Sequence, residues 1–359
     1  MRWITSKQQE SIIEEQAQKS DGWFVRRLIL AILVIGIALL LWEMRYILVL
    51  VFGAVLLGVL WHAAARWLHD RAHVPQSVGL AITVGAVVAF TAGMLYLFGS
   101  EIAEQAESIA AVLPDALDQL RSTAREFGVG GWVDQQVERL TGAFAEGGSL
   151  GGMLMSIGNG LTDFIVVVVG SIFLAARPKL YRTGLIKLVP AARRNVAAAT
   201  LDDMETALRL WFKGRLVAMI GVGLLVGIGL WLIGVPSFLA LGLLAGLLEI
   251  IPFFGPILAA VPGILLALLV SPTHALLAAG LYLVIQQTEG NLITPIIQQH
   301  AVELPPAILL FSLLIFTYIF GVVGVLMAAP LTVVFYVLIK KLYVQEALDT
   351  PTPIPGEDR

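Results

Sequence analysis

Leu216-Val-Ala-Met-Ile-Gly-Val-Gly-Leu-Leu-Val-Gly-Ile-Gly-Leu-Trp-Leu-Ile-Gly234 opens a stretch that continues to Ile339 without one Lys or Arg. Its 124 residues carry formal charge only at Glu249, Glu289 and Glu303, with His274 and His300 beside them. Nine Pro punctuate a background of Leu, Ile, Val, Ala, Gly and Phe. A surface in water carries interspersed charges of both signs, so this stretch is not the exterior of a soluble domain. A bilayer accounts for it, and ionisable groups held inside a bilayer are costly and usually functional.

The rest of the chain agrees. Hydrophobic residues make up 58% and charged residues 14%, against about 45–50% and about 25% for soluble chains. The expected fold is an all-α polytopic membrane protein of about eight membrane segments. Cys is absent, which excludes disulfides, thiolate nucleophiles and Cys-based metal sites. A net charge of −3 selects no partner, and none is expected from nucleic acid. Residues 1–27 are polar and lack the apolar core and small-residue cleavage site of a signal peptide. An interfacial helix and a disordered tail are both open readings of this cytoplasmic N-terminal segment.

Residues 28–99 read as transmembrane helices 1–3. Leu28–Trp42 and Tyr46–Trp61 are two short apolar runs parted by Glu43-Met44-Arg45, taken as a helical hairpin with a very short turn. Trp42, Tyr46 and Trp61 suit the interfacial aromatic belt. His62, His69 and His73 invite a metal reading, but no Glu completes an H-E-x-x-H pattern, and Arg66 and Arg71 make a basic interfacial loop the better reading. No metal site and no cofactor is expected. Residues 100–152 hold nine acidic against three basic side chains up to Glu146, with apolar positions at helical spacing, and read as an external amphipathic insert. Residues 153–176 form a fourth span containing Asn159 and Asp163, with Asp163 placed near an interface.

The segment 177–215 mirrors the insert, with nine basic against three acidic residues. Leu201, Met204, Leu208 and Trp211 make one stripe of a helix, read as an amphipathic helix along the cytoplasmic face. Basic segments near span ends stay inside. Four spans of alternating direction then place residues 62–74 and both termini, including the tail 342–359, in the cytoplasm.

Residues 216–341 are the expected transport core. Phe238–Val270 is broken at Pro252-Phe-Phe-Gly255-Pro256, which no regular helix continues through. Ala307–Ile339 is broken at Phe320-Gly321-Val-Val-Gly324. Each arm is short for a full crossing, so both segments read as broken or re-entrant hairpins. Both carry Phe-Gly at the tip and Ala-Ala before a Pro in the returning arm, Pro262 and Pro330. One crossing separates them, so they form an inverted pair, a plan that recurs in transporters.

Glu249 lies three residues before the first break. Glu289 ends the intervening crossing in Gln286-Gln287-Thr288-Glu289-Gly290-Asn291. The stretch supplies neither with a Lys or Arg, so each would be neutralised by a proton, a cation or a ligand. Glu249, Glu289, Asn291, Gln286 and Gln287 are therefore candidate pathway residues. Pro252, Gly255, Pro256, Pro262, Gly290, Pro295, Gly321, Gly324 and Pro330 are candidate tips and hinges. Interfacial solvation of the carboxylates, and helix capping by the amides, are the structural alternatives.

These motifs resemble the autoinducer-2 exporter family of bacterial permeases. Glu249-Ile-Ile-Pro252-Phe-Phe-Gly255-Pro256 with Pro262 is similar to one family signature. Glu289-Gly290-Asn291-Leu-Ile-Thr-Pro295 is similar to a second. Leu304-Pro305, Phe320-Gly321-x-x-Gly324 and Ala329-Pro330-Leu331 are similar to a third. Order and spacing agree from about 201 to 340. The resemblance implies an inner-membrane, oligomeric protein with cytoplasmic termini. It further implies export of a signalling furanone or, in some members, Na+ or Li+/H+ antiport. His300 and Thr317-Tyr318-Ile319 depart from the family pattern, which leaves the solute open, since fold does not fix function.

Three functions follow. The first is a secondary exporter of a small polar solute, coupled to protons through the membrane carboxylates. The second is an Na+ (Li+)/H+ antiporter. The third is an uncoupled channel or scaffold. An enzyme is not expected, since no nucleophile, base and orienting group are set together. The partners implied are the lipid bilayer, a small polar solute or monovalent cation with the proton, and further copies of the chain.

Overall fold

A computed structural model describes residues 26–93, 96, 150–293 and 304–353. The N-terminal segment before Arg26, nearly all of the 100–152 insert, Pro295, His300, Glu303 and the residues from Ile354 on lie outside the described residues. Every regular element described is helical. The chain divides into two compact units, Met1–Val49 and Leu50–Arg359.

In the first unit, helix α1 covers residues 26–43 and α2 (Arg45–Ala72) begins after Met44 alone. The Met44 amide donates to Leu40 and its carbonyl accepts from Leu48. Helical hairpins need loops of about 2–5 residues, so one residue with helical bonds on both sides corrects the hairpin expected there. Arg45 donates to the Trp42 carbonyl at 3.0 Å, and its guanidinium lies 5.1 Å from the Trp42 ring.

In the second unit, α2 runs on to Ala72. The basic loop expected at 62–74 is therefore mostly helix. Ala63, Ala64, Ala65, Arg66 and Leu68 are good helix formers, and only His73–Pro75 is non-helical. His73 takes φ +54, a left-handed close to the helix. The ring Nδ1 of His69 donates to Val74 at 2.8 Å. Helix α3 (Gln76–Gly93) packs on α2, with Gly79 against the Ala65 carbonyl. Helix α4 (Leu150–Ala176) meets α2 through the Trp61 indole, which donates to the buried Ser171 hydroxyl at 2.8 Å. The chain bends by 86° at Arg177 into α5 (Pro178–Lys187), because Pro178 opens a helix readily but cannot continue one.

After a short 3-10 turn, α6 (Arg194–Ile233) extends for 40 residues, about 60 Å at 1.5 Å per residue. The amphipathic segment expected to lie along the membrane face is thus the first half of the helix that becomes the fifth span. No Pro falls between Pro190 and Pro236 to divide it. Its three acidic residues all engage. Asp202 pairs with Arg182 at 2.7 Å, Asp203 with Lys341 at 3.1 Å, and Glu205 with Arg66 at 3.0 Å and Arg209 at 2.6 Å.

Beyond Gly234 come α7 (Phe238–Leu248), α8 (Phe254–Val270), α9 (Pro272–Thr288), α10 (Pro306–Phe320) and α11 (Val322–Leu338). Both breaks fall where expected. The second is narrower than Phe320–Gly324 suggested, because only Gly321 leaves the helix. Among the described residues, four helices are long and apolar enough to cross a membrane, or five if the bent α4–α5 pair is one span. The other apolar helices are α1, arms of 11, 17 and 15 residues, and the 17-residue α9.

Candidate functional site

Glycines position the site. Helices α6 and α7 run antiparallel, with Gly223 and Gly227 facing Gly242, and Met219 and Gly223 facing Gly246. A Cβ at Gly242 would stand 2.8 Å from the Gly223 carbonyl, and one at Gly246 would stand 2.6 Å from that of Met219. Small residues four apart let two backbones touch. One turn further, the same register brings Arg215 beside Glu249.

Glu249 caps α7 at the point where the helix ends. Pro252 follows, and a proline restricts the residue before it as well as lacking an N–H. Phe253 takes φ +67, and α8 starts at Phe254 with Pro256 in its first turn, where a missing N–H costs nothing. Gly255 turns the chain so tightly that a Cβ there would collide with the Leu248 carbonyl. Pro262 lies within α8. Gly263 next to it leaves room for the Tyr282 ring, whose hydroxyl presses against it. Helix α9 then presents Tyr282, Ile285 and Gln286 along one side and ends at Glu289, where a π turn (Glu289–Ile293) begins.

Four helices thus meet at one polar point inside an apolar cluster that includes Val222, Val226, Ala245, Ala259 and Ile285. Arg215 Nη2 lies 3.1 Å from Glu249 Oε1, and the Glu249 side chain is 2% exposed. The contact is close in charge but not aligned as a hydrogen bond. Glu249 Oε2, Arg215 Nε and Nη2, and the Tyr282 hydroxyl have no hydrogen-bond partner. Glu289 is within electrostatic reach of both Arg215 and Glu249. Gln286 Nε2 donates weakly to Glu289 Oε2 at 3.5 Å. Glu249, Pro256, Tyr282, Gln286 and Glu289 line a cavity of about 10 Å³, about enough for one water. A wider cleft of about 440 Å³ between α6 and α7 is lined by apolar residues and glycine, among them Phe90, Gly223 and Trp231. No ionisable residue lines it.

The structure therefore brings together Glu249, Glu289, Gln286 and Pro256 of the sequence-predicted set. Gln287, Gly290 and Asn291 are exposed, and Asn291 donates to Gln287 at 3.2 Å. The expectation that Glu249 lacks a cationic partner is corrected: Arg215, one residue outside the charge-free stretch, supplies it. Tyr282 is the second residue that sequence reasoning missed. Among the described residues no cluster of three His, Asp or Glu suits a metal ion.

The second hairpin repeats the backbone device without the charges. Gly321 takes φ +64 at the break. A Cβ at Gly324 would collide with the Phe316 carbonyl. Phe316 stacks on Phe320 and on Phe335 across the arms, with ring centroids 6.1 and 6.0 Å apart. Pro330 is buried within α11. This hairpin packs on the first half of α6, through Ala207, Leu208, Val333 and Val337 with Leu56 of α2. The first packs on the second half of α6. The two broken segments therefore share α6 rather than take each other as main partners among the described residues.

The sequence pattern described as AI-2E family transporter matches residues 29–343. The chain belongs to the AI-2E family. The AI-2E match takes in α2–α11 with every residue of the polar site. The candidate transport protein YrrI of Bacillus subtilis is 28% identical over 209 residues, 57% of this chain and 59% of its own length. The candidate permease PerM of Escherichia coli is 26% identical over 170 residues, 47% and 48% of the two chains. A candidate transport protein of Mycobacterium tuberculosis is 23% identical over 329 residues, 89% of each chain. The chain thus spans little more than half of YrrI. Membership in this family and the long apolar helices make it a multi-pass membrane protein.

Proposed function

We propose that the chain is a secondary transporter for a small polar solute, coupled to proton movement through Glu249 and Glu289. The observation that carries this reading is the convergence of the buried Arg215–Glu249 pair and Tyr282 with half-buried Glu289 and exposed Gln286 at a helix break beside an apolar core. Intramembrane carboxylates at such a place move protons or ions by changing their charge state. A signalling furanone is the solute that the family resemblance suggests. Placement in a bacterial inner membrane with cytoplasmic termini, homo-oligomeric assembly, and hairpins that act as an inverted pair belong to the same proposal. The shared Phe-Gly tips and glycine–carbonyl contacts support the last of these.

One observation favours a second reading, Na+ (Li+)/H+ antiport. Glu249 and Glu289 line one small cavity beside the Arg215–Glu249 pair, and paired carboxylate oxygens suit a monovalent cation. Proteoliposomes holding a pH-sensitive dye separate the two. A sodium pulse that shifts internal pH supports antiport. Solute-driven pH change without sodium supports the first reading. Glu289→Gln is expected to abolish the pH dependence of transport, and transport unchanged in that variant would sink proton coupling through Glu289. Flux without any pH change would leave the uncoupled channel.

A further inference from the structure

Arg215 carries more donors than Glu249 uses. Its side chain is 14% exposed, and neither Nε nor Nη2 has a hydrogen-bond partner. A buried guanidinium ordinarily grips a carboxylate through two parallel bonds. A single unaligned contact leaves buried polar atoms unsatisfied on both sides, which is costly. Tyr282 also lines this cavity, and its hydroxyl, which presses against Gly263, has no hydrogen-bond partner. The site therefore offers a forked cation and a phenol. A carboxylate of the chain itself stands in the position an external oxyanion would take.

We infer that Arg215 is the solute-binding residue of this site, and that its solute is a small monoanion with a carboxylate or similar oxyanion, competing with Glu249 for the guanidinium. The inference rests on the transport reading of the same site. Without solute, Glu249 neutralises Arg215. When Glu249 takes up a proton it stops competing, and the solute anion takes its place on Arg215. One proton and one negative charge enter together, so the loaded and empty sites carry the same net charge and the exchange is electroneutral. Glu289, within reach of both groups, stays as the second carboxylate. The groups facing Glu249 are Arg215 from α6 and Tyr282 and Glu289 from α9, while α8 contributes only Pro256 and Ala259, which do not titrate. The cavity admits no such anion as it stands, so entry requires opening at the Glu249–Phe253 break, where the regular i→i−4 ladder is interrupted.

The test uses the purified full-length chain in detergent micelles, with thermal unfolding followed in choline acetate, choline lactate, choline chloride and glycerol. Acetate or lactate is expected to raise the unfolding temperature, with an affinity falling about tenfold per pH unit once Glu249 ionises. Glu249→Gln is expected to bind the same anion independently of pH. Arg215→Lys keeps the charge without the fork and is expected to lose about tenfold in affinity. Tyr282→Phe removes no charge and serves if the charged-site variants fold poorly. It is expected to weaken the anion several-fold while keeping the pH slope. The inference is overturned if neither anion stabilises more than choline chloride. It is equally overturned if the pH slope survives in Glu249→Gln, or if Arg215→Lys binds as the parent does. Stabilisation by glycerol equal to that by acetate would also overturn it, yet leave proton-coupled transport of a neutral solute standing. Failure of the transport reading itself would show separately, as absence of any flux in proteoliposomes.

Discussion

The two hairpins use one backbone design for different ends. Each turns on a Phe-Gly tip, and each has a glycine pressed against a carbonyl of the preceding arm, Gly255 on Leu248 and Gly324 on Phe316. In the first, the break carries Glu249 and sits against Arg215. In the second, the break carries no ionisable residue and is held by stacked Phe316, Phe320 and Phe335. A shared turn geometry thus does not imply a shared role. What separates the two is the stretch of α6 on which each packs. The half of α6 that meets the first hairpin begins at its last arginine, whereas the half that meets the second buries Ala207 and Leu208.

The comparison breaks first at the ion pair. Arg215→Leu should destabilise the protein by about 3–5 kcal/mol by leaving Glu249 buried and alone, and adding Glu249→Leu should recover most of it. Chemical denaturation in micelles measures both, and an additive double variant would mean the pair does not interact. Next come the turn glycines. Gly255→Ala and Gly324→Ala should each cost about 3 kcal/mol, since the new Cβ meets main chain that cannot yield cheaply. A silent Gly324→Ala would show that the second tip is not built like the first.

Gly246→Ala should cost about 1–3 kcal/mol by prising α7 from α6. Because this displaces Glu249 from Arg215, transport should fall further than stability does, and proportional losses would argue against the register account. The smallest effects belong to the acidic residues of α6. Asp203→Asn unties the π-helical segment that follows α11 (Ile339–Gln345) from α6 through the half-buried Lys341 contact, and should cost about 1 kcal/mol. Asp202→Asn loses only the exposed pair with Arg182 and should change stability by about 0–0.5 kcal/mol in high salt.

Much of this was legible in the chain. The hairpin breaks announce themselves because Pro252 and Gly321 act locally, through a missing donor and a permitted φ. Glu249, Glu289 and Gln286 stand out because polarity is rare in their surroundings. Other readings failed where a local contrast was taken for a boundary. Glu43-Met44-Arg45 suggested a reversal, yet three polar or flexible residues without Gly or Pro do not turn a helix. The change from basic to apolar near Arg215 suggested two elements, yet a helix tolerates any polarity along its length, and α6 passes straight through.

By itself, the sequence determined the membrane environment, the breaks and the carboxylates, because hydrophobic length, proline chemistry and charge are properties of residues and their near neighbours. Tertiary structure alone decided that Glu249 has a cationic partner, that Tyr282 belongs to the site, and that Gln287 and Asn291 face away from it. Those facts depend on the register in which α6 meets α7 and on the rotation of α9. Glycine-to-backbone contacts between segments distant in the chain set that register, and no local pattern encodes which residues such contacts bring face to face.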